Sequence, residues 1–229
     1  MTLINPPHRS KPGRALRALR PIAPPATTAL FERDDLLMLY QSIMQQLDVD
    51  RPAILAVTSA THGEGVSSLV RELGGVVASE LGQAVLSIVA SRDSEGPSGL
   101  EAVVEGFLPL EKVIEPDLSV PQLYHAQLNT GGSRAGLLFD SAELDRMLRQ
   151  LVRFTRLVLV DTPPVLSDVT ALAFARRAAG VLLVVEAEKT RAPLIEKARQ
   201  QIERADGRLC GVVLNKRRQH IPDMVAHRL

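Results

Sequence analysis

Two kinds of apolar pattern alternate along the chain. Short runs in which almost every residue is apolar occur at 53–57 (AILAV), 84–90 (AVLSIVA), 157–161 (LVLVD), 180–185 (GVLLVV) and 209–214 (LCGVVL). Runs of this length, rich in Val, Leu and Ile and bounded by polar turns, predict strands buried on both faces. Between them the apolar residues fall three and four apart. Residues 33–48 carry Leu36, Leu37, Leu39, Tyr40, Ile43 and Leu47 at near-helical spacing, with Asp34 and Asp35 at the end where the helix dipole favours negative charge. A longer helical pattern runs over 66–81 and stops at Gly82. Shorter helical patterns follow at 100–106 and 110–115, and another strand is expected at 118–124. The segment 129–136 (NTGGSRAG) is loop chemistry, after which Asp140 or Ser141 caps a helix running to about Phe154, with Glu143 and Asp145 in its early turns. Helices near 168–178 and 191–205 separate the last strands, the second entered through Pro193.

Repeated strand–helix alternation of this kind predicts an α/β fold, a doubly wound, mostly parallel sheet with helices on both faces. A chain of 229 residues, 45% of them hydrophobic, is enough for one substantial core. Residues 1–31 stand apart: six prolines and five basic residues (Arg9, Lys11, Arg14, Arg17, Arg20), with no acid, predict a disordered basic arm. The folded domain is expected over 32–217, with a C-terminal tail at 218–229. A formal net charge of +1 gives no basic excess for a phosphate backbone, which argues against nucleic acid as a partner. The single cysteine, Cys210, cannot form an internal disulfide and reads as a small buried hydrophobe. No apolar run approaches the ~20 residues that span a bilayer, and the N-terminus has no apolar signal segment, so a cytoplasmic location is expected.

Ligands of such sheets sit at the carboxyl ends of the strands, which points to three turns. The first reads TSATHGEGVSSL, where Gly63 and Gly65 directly precede a helix and can turn backbone N–H groups and the helix N-terminus toward an anion. Gly63, Glu64, Gly65, Val66, Ser67 and Ser68 are the candidate phosphate-cradling positions. A P-loop carries Gly-Lys-Ser/Thr here, and this chain has Gly65-Val66-Ser67, so the ammonium that reaches the β and γ phosphates is missing. Ser67 keeps a hydroxyl for Mg²⁺. The third turn, LVLVDTPPVLSD, ends its strand on Asp161, a candidate metal-holding carboxylate, followed by a rigid turn at Thr162, Pro163 and Pro164. The second turn, VLSIVASRDSEG, has no acid at the strand end, and Asp93 falls in the loop beyond. Asn215-Lys216 closes the last strand as a turn, and His62 reads as an exposed loop histidine. Arg176–Arg177 and 216–218 read as solvated ends of elements. The five histidines and one cysteine make no zinc site.

Taken in order, SATHGEGVSS, LVLVDTPPVLSD, AAGVLLVVEAEKTR and GVVLNK resemble the bacterial tyrosine kinase family, the cytoplasmic ATPase domains that accompany chain-length regulators in capsule and exopolysaccharide export, within the MinD/ParA-like P-loop group. The resemblance covers roughly 34–217. It implies phosphate and magnesium roles for Gly63, Gly65, Ser67 and Ser68, the Walker B acid at Asp161 and a base contact at Asn215. It also exposes departures. Val66 stands for the loop lysine, and Val89 and Ser91 stand for the two aspartates of the family's second acidic motif. Asp34, Leu37 and Tyr40 lie where a Glu-x-x-Arg-x-x-Arg ring-forming motif would be. The tyrosine-rich tail is absent, since the only tyrosines are Tyr40 and Tyr124.

Several parts of the kinase machinery missing together, with the sheet motifs kept, predict a retained scaffold. The leading expectation is a non-catalytic, pseudokinase-like accessory protein that binds a membrane chain-length regulator or a kinase-like subunit. Such a protein would lie in the cytoplasm or be held at the inner membrane through that partner, and homo-oligomerisation stays open. No cofactor is required, though weak binding of ATP or ADP with Mg²⁺ is compatible with the loop. The alternatives are an active ATPase or autokinase in which another cation, such as Arg92, replaces the lysine, and a MinD/ParA-like positioning ATPase.

Overall fold

The computed structural model describes residues 31–47, 52–92, 99–131 and 142–216. The basic arm up to residue 30, the C-terminal tail, Asp93, Asp140 and Ser141 lie outside the described residues.

Helix α1 (Arg33–Leu47) opens the fold and buries Leu36, Tyr40, Ile43 and Leu47, one stripe at helical spacing. Strand β1 (Ala53–Ser59) is buried at every position. Helix α2 (Val66–Leu81) begins and ends on left-handed glycines, Gly65 and Gly82, in agreement with the boundaries read from the sequence. Then come β2 (Val85–Ser91), α3 (Leu100–Val104), β3 (Glu115–Pro116), β4 (Leu123–Asn129), α4 (Ala142–Phe154), β5 (Leu157–Asp161), α5 (Thr170–Ala175), β6 (Gly180–Glu186), α6 (Ala192–Arg204) and β7 (Leu209–Asn215).

The strands form one sheet in the order β3-β4-β2-β5-β1-β6-β7, parallel throughout except for the short β3. The period of two along β1 divides the core. Leu55 and Val57 join the side chains of α1 and α2 on one face, while Ile54 and Ala56 join Leu148 and Leu151 of α4, Phe174 of α5 and Ile202 of α6 on the other. The sheet is therefore doubly wound, as its apolar runs predict. The chain leaves β1 toward β2 through α2 on one face, and leaves β5 toward β6 through α5 on the other. Strands β1 and β5 are neighbours, so the crevice opens between their carboxyl ends.

Three expected elements differ. The strand expected at 118–124 is β4, Leu123–Asn129, because Asp117 Oδ1 accepts the N–H groups of Ser119 (2.8 Å) and Val120 (2.9 Å) and folds that stretch into a turn. Pro121 offers no ladder donor, and Gln122 sits at φ 69°, so pairing starts only at Leu123. The helical pattern at 110–115 amounts to a single 3₁₀ turn, Leu110–Lys112, before Glu115 and Pro116 pair with β4. The helix expected at 168–178 is shortened to Thr170–Ala175, whose first N–H is accepted by Asp168 Oδ1 at 2.7 Å. Cys210 is buried as expected, its thiol against Val181 O at 3.1 Å, and burial pushes its pKa up to about 11.

Candidate functional site

A cleft of about 690 Å³ lies at the carboxyl ends of β1, β2, β5 and β7, and the β1–α2 turn forms its floor. Glycine is required at position 65. Its φ of +99° belongs to the left-handed region, and a Cβ there would collide with Asn215 Nδ2. Asn215 Nδ2 donates to Glu64 O at 2.8 Å, and its Oδ1 accepts the N–H of Lys216 at 2.7 Å, so the end of β7 braces the loop from the side. The first helical hydrogen bond of α2 runs from Leu69 N to Gly65 O. The N–H groups of Val66, Ser67 and Ser68 thus have no carbonyl ahead of them within the helix, the arrangement that receives an anion.

Glu64, placed among the phosphate-cradling positions by the sequence, turns inward and is only 1% exposed. Its Oε2 accepts the N–H groups of Ala60 (2.8 Å) and Thr61 (2.9 Å), and its Oε1 accepts the hydroxyl of Thr190 from the β6–α6 turn. The carboxylate holds the loop's shape. Val66, at the P-loop lysine position, is also buried and packs in the same apolar cluster as Val57, Leu69 and Val70.

The β5 turn is laced to the end of β1. Thr162 donates to Val57 O through both its N–H (3.0 Å) and its hydroxyl (2.9 Å). Thr58 Oγ1 donates to Pro163 O at 2.8 Å, and Val165 N to Ser59 O at 2.9 Å. These bonds fix Asp161, in register with Val57, opposite the start of α2, in the cleft that Ser67 also lines. Burial raises the Asp161 pKa above its ordinary 3.8, and the Ser67 hydroxyl opposes that shift. The structure thus brings Ser67 and Asp161 together as the sequence proposed. A hydroxyl and a carboxylate oxygen side by side suit a hard cation such as Mg²⁺, with water and phosphate oxygens as its other ligands.

The walls carry what the sequence left in doubt. Val89 is 45% exposed, the one exposed position in a strand otherwise buried up to Ala90, and it opens on the cleft beside Ser91. Arg92 is held at the rim, its Nε donating to Asp168 Oδ2 at 2.8 Å. His62 is exposed, with Nε2 3.5 Å from the Ser167 hydroxyl. Lys216, read from sequence as a solvated end, instead lies back over the loop, Nζ donating to Gly63 O at 2.6 Å and meeting Glu186 Oε2 at 3.2 Å. Thr190 and Asp168 were not singled out by the sequence. Each is a polar turn residue two positions ahead of a helix, a signal that marks helix starts in general rather than this cleft.

On the leading helix, Asp34 is exposed, Leu37 half-buried, and Tyr40 buried with its hydroxyl donating to Gln83 Oε1 at 2.6 Å. Tyr124, the second tyrosine, is buried in β4.

No family model matches the chain. Over 172 residues it is 26% identical to the tyrosine-protein kinase CpsD of Streptococcus agalactiae serotype III, covering 71% of this chain and 74% of that one. The kinase domain of the Escherichia coli tyrosine kinase ETK superposes with a TM-score of 0.74 at 23% identity, over 83% of this chain and 79% of its own. In sequence the chain is similar to this tyrosine-protein kinase, and in fold to a tyrosine kinase domain. MinD from Aquifex aeolicus shares the fold at a TM-score of 0.58 and 20% identity, over 77% of this chain and 72% of its own.

The cleft lies where the sequence placed a P-loop, and its parts fall into two sets. The loop backbone, Ser67, Asp161 and Asn215 line the cleft, at positions for which the resemblance implies phosphate, metal and base contacts, with the Asn215 amide engaged by Glu64 and Lys216. Val66 and Val89 put isopropyl groups where it assigned an ammonium and a carboxylate. No helix among the described residues is long and apolar enough to cross a membrane.

Proposed function

We propose that this protein is a non-catalytic, pseudokinase-like accessory or regulatory member of the family, serving exopolysaccharide or capsule biosynthesis or export by binding a chain-length regulator or a kinase-like subunit. The observation that carries this reading is Val66. Its side chain is packed into the apolar cluster under the loop, so the loop itself offers no cation to the charge that develops on a transferring phosphoryl group. Losing such a charge-assisted contact costs several kcal/mol at the transition state, roughly two or more orders of magnitude in rate. Val89, exposed on the cleft in place of an acid, adds a second missing group. Both tyrosines are buried, so neither offers a hydroxyl for autophosphorylation in the folded domain.

The site still suits a nucleotide. Phosphates would meet the N–H groups of 65–68, and Mg²⁺ would lie between Ser67 and Asp161, where it neutralises phosphate charge. Binding of this kind without transfer is compatible with a regulatory role through stabilisation of the folded form. The protein would act in the cytoplasm, reaching the inner membrane through its partner. Two measurements test the reading. Steady-state phosphate release and tyrosine phosphorylation should stay at the buffer background, and affinity capture from a native host should recover an envelope polysaccharide component. Turnover that is abolished by Asp161→Ala would overturn it in favour of an active ATPase with a displaced cation.

A further inference from the structure

We propose that Lys216 supplies the positive charge that Val66 cannot, so that the cleft holds the phosphates of a nucleoside di- or triphosphate through a cation from the end of β7. The proposal rests on the P-loop reading of the cleft, and is independent of whether a partner protein is bound.

Lys216 lines the cleft together with Gly63, Gly65 and Ser67. Its Nζ is already on the loop, 2.6 Å from Gly63 O, although 153 residues separate the two in sequence. An ammonium has three donors. Gly63 O and Glu186 Oε2 take two of them, and one remains to turn to an anion in the cleft. The side chain is 45% exposed, so a ligand reaches it without unfolding anything.

The backbone explains how the lysine reaches so far back. Lys216 sits at φ 57°, the left-handed region that a residue with a Cβ adopts only at a cost of about 1 kcal/mol or more. Asn215 holds it there, its Oδ1 accepting the Lys216 N–H while its Nδ2 grips Glu64 O. The same asparagine therefore ties the loop and aims the lysine, and the turn that ends β7 reverses onto the loop. Arg92, the other Lys or Arg lining the cleft among the described residues, is committed to Asp168 at 2.8 Å on the opposite rim. Position 66 and position 216 thus line the same cleft, apolar in the first case and cationic in the second.

The test is calorimetric titration of the full chain with MgADP and, separately, with adenosine. Wild type is expected to bind MgADP. Lys216→Met should weaken it by roughly tenfold to a hundredfold, the range for one charge-assisted contact, and leave adenosine unchanged. Lys216→Arg should keep most of the affinity, which separates loss of charge from loss of fold. Lys189→Met is the control, because it removes a cation that also meets Glu186, at 3.1 Å, but does not line the cleft. The proposal is overturned by equal MgADP affinities in wild type and Lys216→Met, by an equal loss in Lys189→Met, or by no MgADP binding to wild type at millimolar concentration. None of these outcomes bears on partner capture, so the accessory role stands or falls separately.

Discussion

The two sides of position 65 in the loop differ in kind. Before it, Glu64 is held by two backbone N–H groups and a hydroxyl, and Gly65 itself is fixed by its φ and by Asn215. After it, Val66 is a packing residue, and across the cleft Val89 faces open space. The first set makes the loop's shape, and every member has a structural reason to persist whether or not phosphate is transferred. The second set occupies positions whose only duty in an active enzyme is to carry charge. A P-loop shape is therefore compatible with absent chemistry, because different atoms specify the two.

This contrast predicts its own hierarchy of effects. The largest should come from Glu64→Ala, which strands the Ala60 and Thr61 N–H groups and the Thr190 hydroxyl, and should cost about 3 kcal/mol or more. Urea denaturation measures it. A cost below about 1 kcal/mol would mean that the loop has other support and would end the contrast. Gly65→Ala should follow at about 2 kcal/mol or more, since it adds left-handed strain to a collision with Asn215. An Asn215→Ser background should relieve part of that cost, and a double-mutant cycle reads the coupling.

A smaller effect on stability, and a larger one on binding, is expected from Val66→Lys with Val89→Asp. The exposed Val89 contributes within about 0.5 kcal/mol, and the buried Val66 about 1–2 kcal/mol, with the lysine stem able to run along the apolar wall toward water. Restoring the loop charge should tighten MgATP binding by roughly tenfold or more. Unchanged affinity would place the defect in the loop backbone and not in its side chains.

The fold was largely legible in the chain because continuous apolar strands and an amphipathic α2 framed by Gly65 and Gly82 are local signals. The failure at 118–124 was also local in cause. Leu118 and Val120 look like strand residues, and only the Asp117 side chain, which caps the turn through Ser119 and Val120, tells otherwise. The lining of the cleft was legible where strand ends and the glycine turn make it, at Gly63, Gly65, Ser67 and Asp161. It was illegible where contacts join distant segments. Nothing near Glu64 says that Thr190 will meet it, and nothing near Lys216 says that its ammonium returns to Gly63.

The smallest expected effect is also the most specific to the retained half of the site. Asp161 has a folded-state pKa above its ordinary 3.8 because burial disfavours its charge. Below that ordinary value both folded and unfolded forms are protonated, and the group is neutral to stability. As pH rises through the window up to the raised pKa, the folded form holds more protons than the unfolded one, so stability falls, and above the window the penalty is complete. Asp161→Asn cannot ionise and keeps an oxygen for the Ser67 hydroxyl. The variant should therefore be more stable than wild type at neutral pH, with the difference vanishing toward acid, as read by denaturation at a series of pH values. Millimolar Mg²⁺ should raise the wild-type melting temperature and leave the variant unmoved, because a cation between Ser67 and Asp161 offsets the penalty only where a carboxylate exists. A wild type indifferent to Mg²⁺ would assign the Ser67–Asp161 pair to holding the two turns together, and would leave β7 as the main source of phosphate recognition in the cleft.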